Sequence, residues 1–489
     1  MSSLDPDDVF VGKTKASVNL LQGLTATYSV KLDPARRGLL RVVFYAQIAD
    51  SHSPITGILS SSSRSQSKRS ASTRTLSARL LEMAEATSRL PMIVRRRRLG
   101  AQVFADTNAL PPSNTRCICC ARGLHLLTKK KKCHLCGYFV CEKCSVKQHM
   151  QRSRLKLYVV RICEHCIERV DEANYDNVPA EGVSPPAIRP NAPDAPSAGK
   201  QIADLLRDSL ERATTPPKKK AVMKVIKYLV DANDEEGKST SPSGDSAKKP
   251  RIRLTEETSE DEYIVALETH LHIKETPVDR IELFNSKSRK YPITQPNYDN
   301  VDYGVDNVEP KYPLPENEQH RLNLIKQRRL TEMKGIAELD IICSIASKEL
   351  DCSVGLVTVV AQDDVHVLAA TTGFDHVSLP RKDVLCAHAI MSGKPTYIPH
   401  PEADINFNKV NVVSEGGVRF YFGFPLKAED GTVIGTVCCF GEEPREVSQA
   451  QFAAVEKLAE AASRILQFRV NEKTSSETRA AAAAPAMSA

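Results

Sequence analysis

The sequence predicts a multidomain α+β protein in which a small cysteine-rich module and a larger sheet-and-helix domain are joined by a long disordered linker. Its 489 residues are enough for roughly two to four domains. Eight of its 14 cysteines form four Cys-x-x-Cys pairs between residues 117 and 166. Dense apolar patterning of helix, strands and helix follows from about residue 313, which is typical of an α+β layout.

The chain divides into five parts by composition. They are an irregular region over 1–105, the cysteine-rich module over 110–172, a low-complexity linker with short helices over 173–312, the α+β domain over 313–472 and a disordered tail over 473–489. Pro-, Ser- and Gly-rich stretches dominate the linker and cannot bury enough apolar surface to fold alone. Two linker segments, "KQIADLLRDSLERA" and "KKKAVMKVIKYLVDA", have the spacing of short amphipathic helices.

Charge and apolar patterning exclude several classes of protein. The net charge of +7 indicates local basic patches rather than a dedicated DNA-packaging protein. We find no signal peptide and no apolar run long enough to span a membrane, so we expect a cytoplasmic protein whose membrane contact is peripheral. No catalytic triad, phosphate loop or paired catalytic carboxylate reaches motif strength, so we expect no enzymatic activity.

The cysteine pairs predict two zinc ions. Without a signal peptide, this spacing indicates metal binding rather than disulfides, and a tetrahedral zinc site takes four ligands. Only four residues separate the second pair from the third, which favours an interleaved arrangement. The expected ligands of one ion are Cys117, Cys120, Cys141 and Cys144, and those of the other are Cys133, Cys136, Cys163 and Cys166. Structural or redox thiols without metal are the alternative, and Cys119 is a spare.

The module resembles a FYVE-type zinc finger over about 50 residues, through "CICCARGLHLLTKKKKCHLCGYFVCEKCS" and "VRICEHC". RING and PHD fingers would need a histidine ligand. The resemblance implies binding of phosphatidylinositol 3-phosphate on endosomal membranes. It places the lipid contacts on Lys129, Lys130, Lys131, Lys132, His134 and Arg161, and membrane insertion on Leu126 and Leu127.

The basic segment departs from the family's pattern. Lysines stand where the family has histidines and its leading arginine, and no Trp-x-x-Asp precedes the first pair. Lysine keeps the positive charge but lacks the planar fork that binds phosphate through two hydrogen bonds. Anionic membrane binding, a protein-interaction scaffold of the small-GTPase effector type and a merely solvated strand edge therefore stay open. Nucleic acid is disfavoured, because no aromatic residues interleave with the lysines.

The segment 313–472 resembles a GAF domain, through "PLPENEQHRL", "LCAHAI", "PTYIPHPEADINF", "GVRFYFGFPL", "DGTVIGTVCCF" and "EEPREVS". The resemblance implies an antiparallel sheet flanked by helices that senses a small ligand or forms a homodimer. The family's cyclic-nucleotide signature is not met, because no acidic pair follows Phe420. Cys386 and His388 are expected to be buried packing residues rather than a bilin attachment site.

The N-terminal region offers a weaker resemblance. "GLLRVVFYAQIADSHSP" predicts a strand, and 76–104 has helical periodicity interrupted at Pro91. Together they resemble the end of a START-type lipid-transfer domain. The resemblance covers about 70 residues, which is too few to enclose a lipid cavity.

Overall fold

The computed structural model describes most of the chain outside the N-terminal and low-complexity regions. The described residues are 24–32, 40–48, 77–110, 114–125, 129–153, 156–179, 188–239, 254–255, 258–284, 288–293, 312–371, 374 and 377–483. The chain forms two compact units, Met1–Val94 and Arg95–Ala489, which are described separately.

The first unit contains an antiparallel hairpin, β1 (Leu24–Leu32) and β2 (Leu40–Ile48), and the helical residues 77–86, here α1. The strand expected within 38–51 is β2, whereas its partner β1 has no counterpart in the sequence-based expectation. Several large apolar side chains of the hairpin are exposed: Tyr28, Val30, Leu40, Val43 and Tyr45. Tyr28 packs on Phe44 of the opposite strand, with ring centroids 4.8 Å apart, so cross-strand pairs contribute to the hairpin's stability. A further helix, α2, spans Leu90–Gly100.

The cysteine-rich module consists of two hairpins and a helix. Its elements are β3 (Lys130–Lys132), β4 (Phe139–Cys141), β5 (Ser145–Ser153), β6 (Lys156–Cys163) and α3 (Glu164–Glu172). β3 pairs with β4, and β5 pairs with β6. Leu135, Val140, Ile162 and Val170 are fully buried between these elements and the cysteines, so the module has a small apolar core of its own.

The described part of the linker expected over 173–312 contains the two predicted short helices, which are packed rather than disordered. It contains α4 (Ala198–Glu211), α5 (Pro216–Ser239) and α6 (Glu260–His270). The side chain of Ser197 caps α4, and Ser259 with Glu262 forms a capping box at α6. The apolar faces of the helices are buried against the following domain, and that burial supplies the stability that isolated short helices lack.

The C-terminal part is built around a six-stranded antiparallel sheet of order β10-β11-β12-β7-β8-β9. The strands are β7 (Val354–Val360), β8 (Asp364–Ala370), β9 (Ser378–Pro380), β10 (Thr396–Ile398), β11 (Phe420–Lys427) and β12 (Val433–Gly441). The helices are α7 (Glu318–Gln327), α8 (Ala337–Glu349), α9 (Cys386–Ala389), α10 (Asn411–Ser414) and α11 (Gln449–Ala483). Strands with β-branched residues and flanking helices give the expected α+β layout.

Helices α7 and α8 are separate, because Arg329 and Gly335 between them adopt positive φ angles of 50° and 67° that no α-helix contains. Helix α11 extends into the expected tail as far as Ala483, since the alanines that end it have high helix propensity, and residues 484–489 lie outside the described residues.

The sheet separates two apolar cores. On one face, α8 and α11 pack over residues such as Phe422 and Cys439, and α4 and α5 pack on these two helices. On the other face, α9, α10 and their loops pack over residues such as Tyr421 and Cys438. Adjacent residues of one strand point to opposite faces, so Cys438 and Cys439 belong to different cores although both are fully buried.

Candidate metal centres and ligand cavity

Two tight turns prepare the first two cysteine pairs for metal binding. Ala121 donates its amide to the Cys117 carbonyl at 2.8 Å, and Gly137 donates to the Cys133 carbonyl at 3.0 Å. Both residues have positive φ, 53° and 90°, which glycine tolerates best. The repeated turn points the two sulfurs of each pair toward one centre.

The structure groups the eight cysteines into two clusters in the interleaved arrangement. Within each cluster, the sulfur atoms all lie within 4.8 Å of one another. The clusters are Cys117, Cys120, Cys141 and Cys144, and Cys133, Cys136, Cys163 and Cys166. Sγ–Sγ distances of 3.8 Å for Cys120–Cys141 and 4.0 Å for Cys136–Cys163 are close to the edge of a ZnS₄ tetrahedron, about 3.8 Å for Zn–S bonds of about 2.3 Å. Both clusters could therefore hold a metal ion.

The surroundings of the sulfurs fit bound metal. The Cys141 amide donates to Cys117 Sγ at 3.3 Å, and the Cys163 amide donates to Cys133 Sγ at 3.4 Å. Such bonds orient thiolate ligands and reduce their charge. Burial raises the pKa of Cys144, so a crowded site of this kind holds four thiolates only when a cation compensates them.

Cys119 lies outside both clusters. Its position in the sequence indicates a place beside the first cluster, but its side chain contacts the second. Although it stands inside the first pair, its side chain approaches Cys163 of the second cluster, and that hydrogen bond lowers the pKa of Cys119. It is half-buried against the core of the module. Sequence spacing carries no signal for this contact, because it depends on how the two hairpins pack.

The four lysines have different environments. Lys129 and Lys130 are exposed, and the Lys130 ammonium lies 4.8 Å from the centre of the Phe139 ring. The Lys132 ammonium instead donates to the carbonyls of Thr107 and Leu110 within the module. Lys132 was expected to contact lipid, but in this structure it has an internal structural role.

Two other residues expected to bind lipid lie next to each other. The His134 amide donates to the Arg161 carbonyl at 2.9 Å, and the Arg161 guanidinium donates to Ser145 Oγ at 3.0 Å. Lys147 pairs with Arg161 across the β5–β6 hairpin, a neighbour that the sequence reading missed. The expected insertion residues, Leu126 and Leu127, lie outside the described residues.

An apolar strip adjoins this basic pair. Leu157 and Val159 lie on β6, and 56% and 60% of their surfaces are exposed; Tyr158 between them is exposed as well. With Arg161 they share one face of the strand, and we call these three residues the β6 strip. Large exposed apolar groups beside cations indicate a contact surface.

A buried arginine binds the segment 288–293 to the cysteine-rich module and the residues before it. Arg289 is 1% exposed, and its guanidinium donates to the carbonyls of Tyr291 at 2.7 Å, Val103 at 3.1 Å and Leu135, which lies inside the second cysteine pair. Burial lowers the pKa of Arg289. The same segment donates the Ile293 amide to the Cys136 carbonyl at 3.3 Å.

Further contacts join the module to the loop after β10. Gln102 donates to the Ala403 carbonyl at 2.8 Å and accepts from the Ile405 amide at 3.0 Å. Ile405 is fully buried in the core of the module. Because these contacts are buried, the cysteine-rich module and the sheet domain form one continuous packed structure.

The sheet face that carries α9 contains a cavity of about 180 Å³. Its walls are mostly apolar. The lining residues are Leu356, Thr358, Val365, Val367, Phe374, Leu379, Val384, Leu385, Cys386, Val412, Gly416, Val418, Tyr421 and Phe440. An apolar cavity with a few polar groups is typical of a small-molecule site.

His388 is a buried packing residue, as the sequence indicated. Its Nδ1 lies 3.2 Å from the Tyr291 hydroxyl, which also accepts from Asn406 at 3.3 Å. Burial, reinforced by the nearby positive charge of Arg289, lowers the pKa of His388 to about 3, so the ring is neutral at physiological pH. Cys386 differs from the expectation of simple packing, because it lines the cavity.

Comparison with known proteins concerns the sheet domain. Residues 337–467 match the family model described as GAF domain. A cyclic di-GMP phosphodiesterase of Pseudomonas aeruginosa is 28% identical over 134 residues, and the match covers 27% of this chain and 23% of that protein. This chain therefore matches about a quarter of that relative's length.

Two solved structures are also similar to this region. The chromophore-binding domain of bacteriophytochrome RpBphP3 from R. palustris is 16% identical, with a TM-score of 0.24, and the match covers 34% of this chain and 65% of that one. The GAF domain from an Acinetobacter phosphoenolpyruvate-protein phosphotransferase is 14% identical, with a TM-score of 0.24, and the match covers 32% and 96%. On the family-model match, residues 337–467 are a GAF domain.

Proposed function

We propose that this chain is a non-enzymatic, zinc-binding sensor. In this proposal its FYVE-like module contacts an anionic, phosphoinositide-containing membrane, such as that of the endosome, and its GAF domain binds a small ligand. Two zinc ions would hold the module through the eight clustered cysteines. The observation that carries the proposal is the packing of two metal-fitting clusters against a domain with a ligand cavity.

The membrane contact is supported by the charge and exposure of residues on the cysteine-rich module. Lys129, Lys131 and Arg161 supply positive charge, and Leu157 and Val159 are exposed apolar side chains. This combination binds the interface of an anionic bilayer through electrostatic attraction and apolar burial. Among the described residues, no helix is long and apolar enough to cross a membrane.

The GAF domain is proposed to bind a ligand rather than form a homodimer through its helical face. Helices α4 and α5 of the same chain cover α8 and α11. A second copy could reach that face only by displacing them. The Pseudomonas relative is named as a phosphodiesterase, so enzymatic activity stays open for this chain. We propose that this chain has no enzymatic activity.

The test is co-sedimentation of the full, zinc-loaded chain with liposomes. Vesicles that contain phosphatidylinositol 3-phosphate are compared with vesicles of equal charge that contain phosphatidylserine, at two salt concentrations. We expect Lys131→Glu and Val159→Ser each to lower binding several-fold. The matched control is Lys200→Glu, at an exposed lysine of α4 outside the proposed surface.

The outcomes separate the alternatives. Preference for the phosphoinositide at both salts supports a headgroup site, whereas equal binding that falls with salt supports a general anionic surface. No binding to either vesicle contradicts the membrane contact and favours a protein partner for the β6 strip.

A further inference from the structure

Two buried cysteines meet at the base of the GAF cavity. Cys386 Sγ and Cys438 Sγ are 3.7 Å apart. Cys386 belongs to α9 and is 5% exposed, and Cys438 belongs to β12 and is fully buried. They are 52 residues apart in the chain, so the fold alone brings them together.

Neither cysteine belongs to the metal centres. Both lie in the core on the α9 face of the sheet, and the two four-sulfur clusters lie in the cysteine-rich module. Cys386 lines the cavity, and Cys438 lies behind it in the sheet. A small solute in the cavity would therefore contact Cys386 rather than Cys438.

The surroundings of Cys386 favour its thiolate. The contact with Cys438 has the largest effect and lowers the pKa of Cys386 to about 6 despite burial. Contact with Cys386 raises the pKa of Cys438 well above its usual range, which keeps it a thiol. The geometry also distinguishes the two sulfurs, because Cys386 lines the cavity and Cys438 lies behind it.

We propose that Cys386 and Cys438 form a reversible peroxide-sensitive dithiol. The Cys386 thiolate attacks one oxygen of a hydroperoxide, the O–O bond breaks, and the other oxygen leaves as water or alcohol after taking a proton. Cys386 becomes a sulfenic acid. Cys438 then attacks its sulfur, the S–O bond breaks, water leaves, and a disulfide forms. Two electrons pass from the two thiols to one hydroperoxide.

Formation of the bond changes the cavity. The sulfurs must approach from 3.7 Å to about 2.05 Å, which draws α9 toward β12. Cys386 and its neighbour Leu385 both line the cavity, so the oxidised pair alters its wall. This chemistry is independent of the proposed membrane contact and of metal binding.

The test treats the full, zinc-loaded chain with hydrogen peroxide, alkylates the remaining thiols and maps the cysteines by mass spectrometry. We expect a Cys386–Cys438 linked peptide, about 2 Da lighter than the two reduced peptides together, and its loss with dithiothreitol. Zinc content is measured in the same samples, which identifies any oxidation of the metal-binding thiols.

Three variants identify the roles. Cys386→Ser should abolish the linked peptide, whereas Cys438→Ser should stop the reaction at a sulfenic acid on Cys386 that dimedone traps. Cys439→Ala is the matched control, since Cys439 is equally buried on the same strand but faces the other core. This control should leave the linked peptide unchanged.

Mapping of the oxidised cysteines in the chain without substitutions gives a result even if a variant fails to fold. The proposal is overturned if Cys386 and Cys438 stay reduced when other cysteines of the folded chain have been oxidised. It is also overturned if the first sulfenic acid appears on Cys438.

Discussion

Arg289→Met removes the guanidinium that binds the segment 288–293 to the cysteine-rich module. The side chain is fully buried and donates to three carbonyls, those of Tyr291, Val103 and Leu135. Methionine fills similar volume but leaves these acceptors without their charged donor. Each lost bond to a charged group is worth about 1.5–3 kcal/mol, and removal of the buried charge itself offsets part of the loss. We expect the free energy of unfolding to fall by about 3–5 kcal/mol.

Urea unfolding of the zinc-loaded chain measures this loss, and hydrogen exchange locates it. The amides of Ile293 and Asp106, which bond to Cys136 and Arg289 carbonyls, should lose protection. Arg280→Met is the matched control, because Arg280 is exposed on the same segment and should change stability by less than about 0.5 kcal/mol. Unfolding free energies that are equal for the two variants would refute the role given to Arg289.

Two further substitutions test the packing of the GAF domain and its helical layer. Leu206→Ala removes a fully buried side chain of α4 and should lower the free energy of unfolding by about 2–5 kcal/mol in urea titrations; a change below about 0.5 kcal/mol would mean that the helix does not pack as described. Burial raises the pKa of Glu349 to about 7, so the folded chain binds this proton more tightly than the unfolded chain. The resulting stability is present below the ordinary carboxyl pKa and is lost as the pH rises through about 7. Glu349→Gln should therefore stabilise the chain by about 1–2 kcal/mol at pH 8 and little at pH 4. Thermal melts at the two pH values measure this gain in stability, and an equal gain at both would contradict the prediction.

Local sequence patterns predict the parts of this protein that depend on short-range geometry. The two-residue gap between paired cysteines and the four residues between Cys136 and Cys141 indicate the interleaved clusters. Alternating β-branched residues indicate the strands around Thr358 and Thr436. In both cases one or two turns of chain determine where the side chains point.

Long-range packing explains what the sequence reading missed. The α4 and α5 segments read as linker helices because their apolar faces, including Leu206, need a partner that no local pattern specifies. In the sequence, Lys132 is one of four equivalent lysines. In the structure, the Lys132 ammonium donates to the carbonyls of residues 107 and 110. Arg289 lies in a polar segment and carries no signal of burial, since its acceptors come from distant parts of the chain.

Metal content of the full chain tests the central claim most directly. The chain is purified without added chelator, and its metals are identified and counted by mass spectrometry. We predict about two zinc ions per chain, and about one after Cys120→Ser or Cys136→Ser, because each substitution removes one ligand of a four-sulfur site. Cys352→Ser, outside both clusters, should retain two. A folded chain that binds no metal, or that keeps two ions in both cluster variants, would contradict the account.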